Sequence, residues 1–392
     1  MKDPTGGPLS GLLVADFSRI LAGPYATMLL ADLGAEVVKV EAPGGDDTRT
    51  WSPPARGDQA TYFLSVNRNK RSLSLDLADA EDLEAARELT RRADVVIENF
   101  KPGGLKRFGL DYDAVRAENA GVVYASISGF GSGEGASIPG YDLMVQAIAG
   151  LMSLTGSPDG PPFRAGISVF DVITGLHAAV GILAALQERN DSGEGQHVEV
   201  NLLSSALSGL VNQSGAYAAG GTVPYRMGNA HPSLFPYEPL PAADGDIIVI
   251  AGNDGQFARL CEALGRPDLV GDPRFARNQD RTANRDELRP HLVEALAART
   301  KAEWFDALLA HGVACAPINT VDEGVAFAES LGLEPIVQAG RGPDAVPGIR
   351  NPITLSRSRT RYDHPPPRLD EHSAQIRAWL SQDRDHQEGE DG

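Results

Sequence analysis

Asp171 is the carboxylate best placed to do chemistry. It stands in Gly166-Ile167-Ser168-Val169-Phe170-Asp171-Val172-Ile173-Thr174-Gly175, among apolar neighbours, and opens a long apolar helical pattern. At a helix N-terminus the dipole and free N–H groups hold a carboxylate ionised even when it is partly dehydrated. An ionised, poorly solvated carboxylate is a usable nucleophile. An ordinary N-cap is the plainer reading of an Asp at such a place. His177, six residues further along the same apolar stretch, does not fall beside Asp171 on a helix and reads as a packed core histidine.

Three groups of basic residues could meet an anion. The turn Ser18-Arg19-Ile20-Leu21-Ala22-Gly23-Pro24 leads from an apolar run into a helix start, which accepts anions through free N–H groups. Asn67-Arg68-Asn69-Lys70-Arg71 precedes the strand-like Ser72–Leu77, and Lys101, Lys106 and Arg107 follow the apolar run Asp94–Asn99. Loops at the carboxyl ends of parallel strands are where ligands sit in open α/β sheets. Three such groups suit a phosphorylated ligand, and each alone reads equally as solvated surface charge. Arg226-Met227-Gly228-Asn229-Ala230-His231-Pro232 mixes polar donors with turn formers and reads as a cleft lining or a structured linker. No GxGxxG follows the first strand, and there is no P-loop and no GxSxG elbow. Cys261 and Cys315 sit in no metal-ligand spacing and imply no disulfide framework; a metal site is not expected.

The elements that position these residues follow from periodicity. Leu12–Phe17, Val37–Val40, Asp94–Asn99, Val122–Ser128 and His197–Val200 read as strands; Pro24–Leu33, Asp79–Arg92, Tyr141–Leu154, Asp171–Arg189 and Leu202–Ala218 read as helices. Strands alternating with helices imply a parallel sheet of βαβ units. Gly, Pro, Asn and Ser crowd Gly220 to Pro236, which reads as a break. Beyond it, the strand Asp246–Ala251 and the helices Gln256–Leu264, Asp286–Arg299 and Ala302–Gly312 make a smaller α/β domain, and Ile353–Ser356 reads as a short strand.

The chain has 392 residues, too many for one ordinary domain, and a net charge of −18. That charge argues against a nucleic-acid partner, whose phosphates need Lys and Arg. It is uneven: residues 1–107 hold 14 bases and 16 acids, so an anionic ligand meets least repulsion there. The final eleven residues are polar and acidic and read as disordered. Met1 to Ser10 has no apolar core, and no stretch approaches ~18–20 uninterrupted apolar residues, so no membrane partner is expected and the cytoplasm is the expected location.

Taken together, the segments resemble the family III CoA-transferases (the CaiB/BaiF group), which include formyl-CoA transferase, carnitine CoA-transferase and α-methylacyl-CoA racemase. The resemblance runs from about Gly11 to His372. Its pieces are Asp16-Phe17-Ser18-Arg19 through Pro24, Leu30 through Glu41, Pro43-Gly44-Gly45-Asp46-Asp47-Thr48-Arg49, Asn67 through Ser72, Glu98-Asn99-Phe100-Lys101-Pro102-Gly103, Gly140-Tyr141-Asp142, and Asp171 through Gly175. Each is weak alone; their order and spacing are specific.

The resemblance implies an interlocked homodimer. Each chain is then expected to have a Rossmann-like large domain built from residues 1–219 and 326–380 and a small domain at 220–325, with the compositionally acidic tail expected at 381–392. It implies Asp171 as the nucleophile that carries CoA as a thioester, with CoA a carried substrate and no other cofactor. Arg19 and Ile20 match the family's first turn. Leu75, Asn99, Phe100 and Arg107 match positions that contact CoA, Lys101 is adjacent, and Tyr141 matches an active-site tyrosine. Leu21 stands where the formyl-CoA enzyme has a glutamine. That enzyme's glycine lid has no counterpart, since His231-Pro232-Ser233-Leu234-Phe235-Pro236 occupies the region. Both departures speak against a formyl-CoA/oxalate enzyme. Tyr141 replaces the histidine that the racemases use as a base, which speaks against racemisation. The implied activity is CoA transfer from a succinyl-CoA or acetyl-CoA type donor to a small carboxylic acid. A racemase or isomerase of the same fold and a non-catalytic CoA-binding protein are the alternatives.

Overall fold

The computed structural model describes residues 7–382. Six short strands pair in parallel: β1 (Leu13–Asp16), β2 (Glu36–Glu41), β3 (Lys70–Ser74), β4 (Val95–Glu98), β5 (Val123–Ser128) and β6 (His197–Asn201). The order is β3-β2-β1-β4-β5-β6, with Val14 in register with Val37 on one side and Val95 on the other. This is a Rossmann-like doubly wound sheet, and its direction of winding reverses between β1 and β4. A crevice opens outside the carboxyl ends of strands at such a reversal.

Helices cover both faces. On one lie α1 (Ala22–Asp32) and the 24-residue α4 (Val169–Ser192), which meet closely: a Cβ on Gly175 would stand 2.6 Å from the Ala22 carbonyl oxygen. On the other, α2 (Ala80–Arg92) packs with the helix Ser373–Ser381, so that Leu89, Ile376 and Leu380 share one core with Ala15, Val38, Leu73 and Val96. Local chemistry explains α2. Asp79 caps it by accepting from the Glu81 and Asp82 N–H groups, acids fill its first turn, and Arg91 and Arg92 lie in its last. Between the α2 and α4 regions lies α3 (Asp142–Ile148), and α5 (Leu202–Gly209) follows β6.

The chain forms two compact units. One holds Ala165–Thr222 with the described residues up to Gly150 and from Glu334 onward; the other holds Leu151–Arg164 and Val223–Leu333. The second unit is built on an antiparallel sheet of β7 (Tyr237–Ala242), β8 (Gly245–Ile250) and β9 (Ala314–Pro317), with β8 central. Ile247 and Val249 of β8 join Phe257, Leu260, Leu292 and Trp304 in its own core.

The structure differs from the sequence expectations in several places. The units put 151–164 with the smaller body and end it at Leu333, whereas the expected division was 1–219, 220–325 and 326–380. Tyr141–Leu154 is not one helix: Gly150, at φ +94, separates α3 from Leu151–Leu154. Leu202–Ala218 is likewise broken at Val211, at φ +40. Ile353–Ser356 forms no strand. Among the described residues, one helix, α4, is long and apolar enough by length and composition to cross a membrane. Here it lies on the sheet, with Ala178, Ile182 and Ala185 buried. Of the tail expected at 381–392, Ser381 closes the last helix and the part from 383 onward lies outside the described residues.

Candidate active site

The turn after β1 is held by side chains at nearly every backbone polar group. Ser18 N–H donates to Asp16 Oδ1 at 3.0 Å, and Ser18 O accepts from Lys39 Nζ at 2.9 Å. Asn99, just past β4, closes two bonds across the switch point: its Oδ1 accepts from Arg19 N–H and its Nδ2 donates to Arg19 O, each at 2.8 Å. Ile20 N–H donates to Asp46 Oδ2 at 3.1 Å. Ile20 itself sits at φ +69. For a β-branched residue that conformation costs on the order of 1–3 kcal/mol and persists only where the surroundings over-determine it.

Those surroundings are buried charges. Lys39 and Asp46 pair at 2.9 Å, and Lys70 reaches Asp16 at 3.2 Å, all four fully buried or nearly so. Burial pushes the Asp46 carboxyl up, but Lys39 and the Thr48 donors outweigh it and hold it at about 2. Burial pulls the Lys70 ammonium down to about 8 against the pull of Asp16.

Beyond the turn, α1 starts at Ala22 with no side-chain cap on its free N–H groups. Its start borders a cleft of about 350 Å³. Into this one cleft the fold brings Arg19, Ile20, Asn99, Phe100, Lys101, Tyr141 and Asp171. Arg19 lies 5.3 Å over the Phe100 ring, with Asp47 at 3.8 Å.

Asp171 belongs to the first turn of α4. Asp142, at the start of α3, accepts on Oδ1 from the N–H groups of Phe170 (2.8 Å) and Asp171 (3.2 Å). Its Oδ2 accepts from Gln146 Nε2, and Gln146 Oε1 in turn accepts from Ala165 N–H at 2.8 Å. The N–H groups expected to keep Asp171 ionised are therefore already used. Burial first, and the Asp142 charge second, push the Asp171 carboxyl up to about 7. Near neutral pH it is divided between acid and carboxylate.

Other expected residues stand elsewhere. Leu21 is buried beside the turn, and Leu75 is buried in the core with Phe17 and Leu73. Arg107 lies exposed over the Phe108 ring at 4.5 Å. The group Asn67–Arg71 does not await a ligand. Arg68 forks onto Asp32 (2.9 and 2.6 Å), Lys70 is on Asp16, and Arg71 pairs with Glu36. These residues enter β3 at its amino end, away from the crevice at the carboxyl ends. His177 bonds Ser205 Oγ at 3.0 Å and stays out of the cleft. Arg226, Met227, Asn229 and Ala230 line a separate cavity of the smaller unit.

The sequence reading passed over Asp142 as a cap and Tyr62 as a neighbour. Burial first, and the Asp171 charge as well, push the Tyr62 hydroxyl up, and Trp51 stands edge-on to its ring at 5.1 Å. Among the described residues, no three His, Cys, Asp or Glu side chains gather as a metal-ligand group.

A doubly wound parallel sheet with a cleft at the carboxyl ends of its central strands defines the class: an α/β protein of Rossmann-like architecture. The chain belongs to CoA-transferase family III, whose sequence profile it matches over residues 9–373. It is an enzyme of CoA transfer. It is 44% identical over 383 residues to the succinate–glutarate CoA-transferase of Agrobacterium fabrum, covering 95% of this chain and 96% of that one. It is 40% identical over 375 residues to the acetyl-CoA:oxalate CoA-transferase of Acetobacter aceti, covering 95% of each. Among solved structures it is similar to a CAIB/BAIF family protein from Brucella suis, with a TM-score of 0.86 and 44% identity over 96% of this chain and 100% of that chain.

Proposed function

We propose that the enzyme moves CoA from a succinyl-CoA or acetyl-CoA type donor to a small carboxylic acid, through a covalent aspartyl-CoA thioester on Asp171. The observation that carries this is the placement of Asp171 in the same cleft as Arg19 and Lys101, at the carboxyl ends of β1 and β4. The relatives' own donors and acceptors, succinate with glutarate and acetyl-CoA with oxalate, support the substrate class.

The steps balance without a metal or prosthetic group. The Asp171 carboxylate attacks the donor thioester carbonyl; the C–S bond breaks, CoA thiolate leaves, and a mixed anhydride forms. The thiolate attacks the aspartyl carbonyl, releases the donor acid as carboxylate, and leaves CoA on Asp171. The acceptor carboxylate attacks that thioester and again expels thiolate. The thiolate then attacks the acceptor acyl carbon, giving the new acyl-CoA and a free Asp171 carboxylate. Low solvation of Asp171 favours attack over hydrolysis. Racemisation needs a second base, and the residue beside the cleft is Tyr141, not a histidine.

We propose further that the enzyme works as the interlocked homodimer of its family. Leu176, Val180 and Leu183 form an exposed apolar stripe along α4, with Leu207 of α5 also exposed. Such a stripe is the kind of face a second copy covers.

The test crosses acyl-CoA donors with carboxylate acceptors and reads thioester products by mass spectrometry, with Asp171→Ala alongside. New acyl-CoA from the native enzyme, and none from a variant that still binds CoA, is the expected result. Turnover by Asp171→Ala, or a hydroxylamine-sensitive label outside Phe170–Gly175, would remove Asp171 from the chemistry. CoA binding without turnover of any donor and acceptor of this class would overturn the proposed substrate class.

A further inference from the structure

Two fully buried side chains beneath the cleft have no part in the reaction as proposed. Lys39, on β2, donates to Ser18 O and to Asp46 Oδ2, both at 2.9 Å. Asp46 shares that same Oδ2 with Ile20 N–H. Asp46 is itself fixed: Oδ1 accepts from Thr48 N–H (3.0 Å) and Thr48 Oγ1 (2.7 Å), and its own N–H donates to Glu41 Oε2 at 3.0 Å. Glu41 is held in turn by a two-pronged bond from Arg49.

A buried ion pair is a poor source of net stability, because desolvation consumes most of the attraction. What it supplies is a rigid point of attachment. Here the attachment is to a β-branched residue at φ +69, a conformation that Ile20 would leave if released. Ile20 lines the cleft between Arg19 and the uncapped start of α1. A relaxed Ile20 swings the flanking peptide planes and moves all three.

We propose that Asp46, with Lys39, is a positioning residue of the acyl-CoA site: the pair holds Ile20 in its left-handed conformation and so sets where Arg19 and the α1 amide groups meet the ligand. This rests on reading the cleft as the acyl-CoA site. Neither residue touches the reacting atoms, and both act through the turn.

The test is a double-mutant cycle. Native enzyme, Asp46→Asn, Ile20→Gly and the double variant are compared for CoA affinity by calorimetry, for donor KM and kcat, and for Tm. In the Ile20 background, Asp46→Asn is expected to weaken CoA binding and raise donor KM about tenfold or more, as for a lost hydrogen bond to a charged group. The kcat should change less. In the Ile20→Gly background the same substitution is expected to cost less than about threefold, because glycine adopts positive φ without strain. An equal loss in both backgrounds, or a lower Tm with unchanged CoA affinity, overturns the proposal. If Asp46→Asn does not fold, Lys39→Gln in the same cycle reads the same coupling. A crystal structure of Asp46→Asn keeps this separate from the functional reading. Ile20 at negative φ supports the positioning role, and Ile20 still near φ +69 overturns it. Failure of the native protein to bind CoA counts against the assigned activity instead.

Discussion

One carboxylate oxygen of Asp142 accepts the backbone N–H groups of both Phe170 and Asp171, at 2.8 and 3.2 Å. The residue that caps the helix therefore also sets a negative charge beside the proposed nucleophile. The cap orders the first turn of α4, and the charge makes Asp171 harder to ionise.

The first prediction concerns activity and pH. Asp171 must be ionised to attack, and its carboxyl titrates at about 7. The kcat/KM should rise with pH through that value and level off above it. Asp142→Asn keeps an acceptor oxygen for the cap and removes the charge, so the rising limb should move to lower pH. A limb unmoved by Asp142→Asn would mean that another group is titrating.

Stability should run the opposite way. Folding lifts the Asp171 carboxyl from 3.8 to about 7. Between those values the folded chain keeps a proton that the unfolded chain has lost, so this residue costs stability as pH rises. At about 1.36 kcal/mol per unit the cost tops out near ~4 kcal/mol, and partial exposure of the group reduces it. Asp171→Asn should therefore raise Tm above pH 7 and leave it unchanged near pH 4. Thermal melts at the two pH values check this.

Asn99→Ala removes both bonds to the Arg19 backbone and leaves an N–H and a carbonyl unpaired. The loss is expected to be about 1–3 kcal/mol per unsatisfied group where water does not replace the partner. It should appear as weaker CoA binding. Asn99→Asp keeps the acceptor and should restore part of it. Calorimetry on the two variants measures the difference.

The basic residues divide into two kinds. Arg68→Ala leaves Asp32 buried and uncompensated and should cost about 3–5 kcal/mol of stability. Lys101→Ala, at an exposed residue on the cleft, should leave Tm within ~0.5 kcal/mol equivalent and weaken CoA binding. Urea melts and CoA titrations of both variants would show a reversed pattern if Arg68 were a ligand contact.

Much of this protein follows from local chemistry. α2 was legible because its apolar spacing, its Asp79 cap and acidic first turn, and its Arg91-Arg92 end all lie within one continuous segment of the chain. The strands β1, β2, β4 and β5 were legible as short aliphatic runs, and Asp171 stood out as a carboxylate at the head of an apolar helix. The tertiary structure alone decided which charges are paired and which are offered to a ligand. Lys70 finds Asp16 from 54 residues away, Arg68 finds Asp32 from 36, and Asn99 closes on Arg19 from 80. Those partners are set by the strand order β3-β2-β1-β4, which is a property of how the sheet packs and not of any one segment. The same holds for the titration of Asp171. Its residue type promised an ionised carboxylate, but burial and Asp142, brought in from 29 residues earlier, made it one that ionises only near neutral pH.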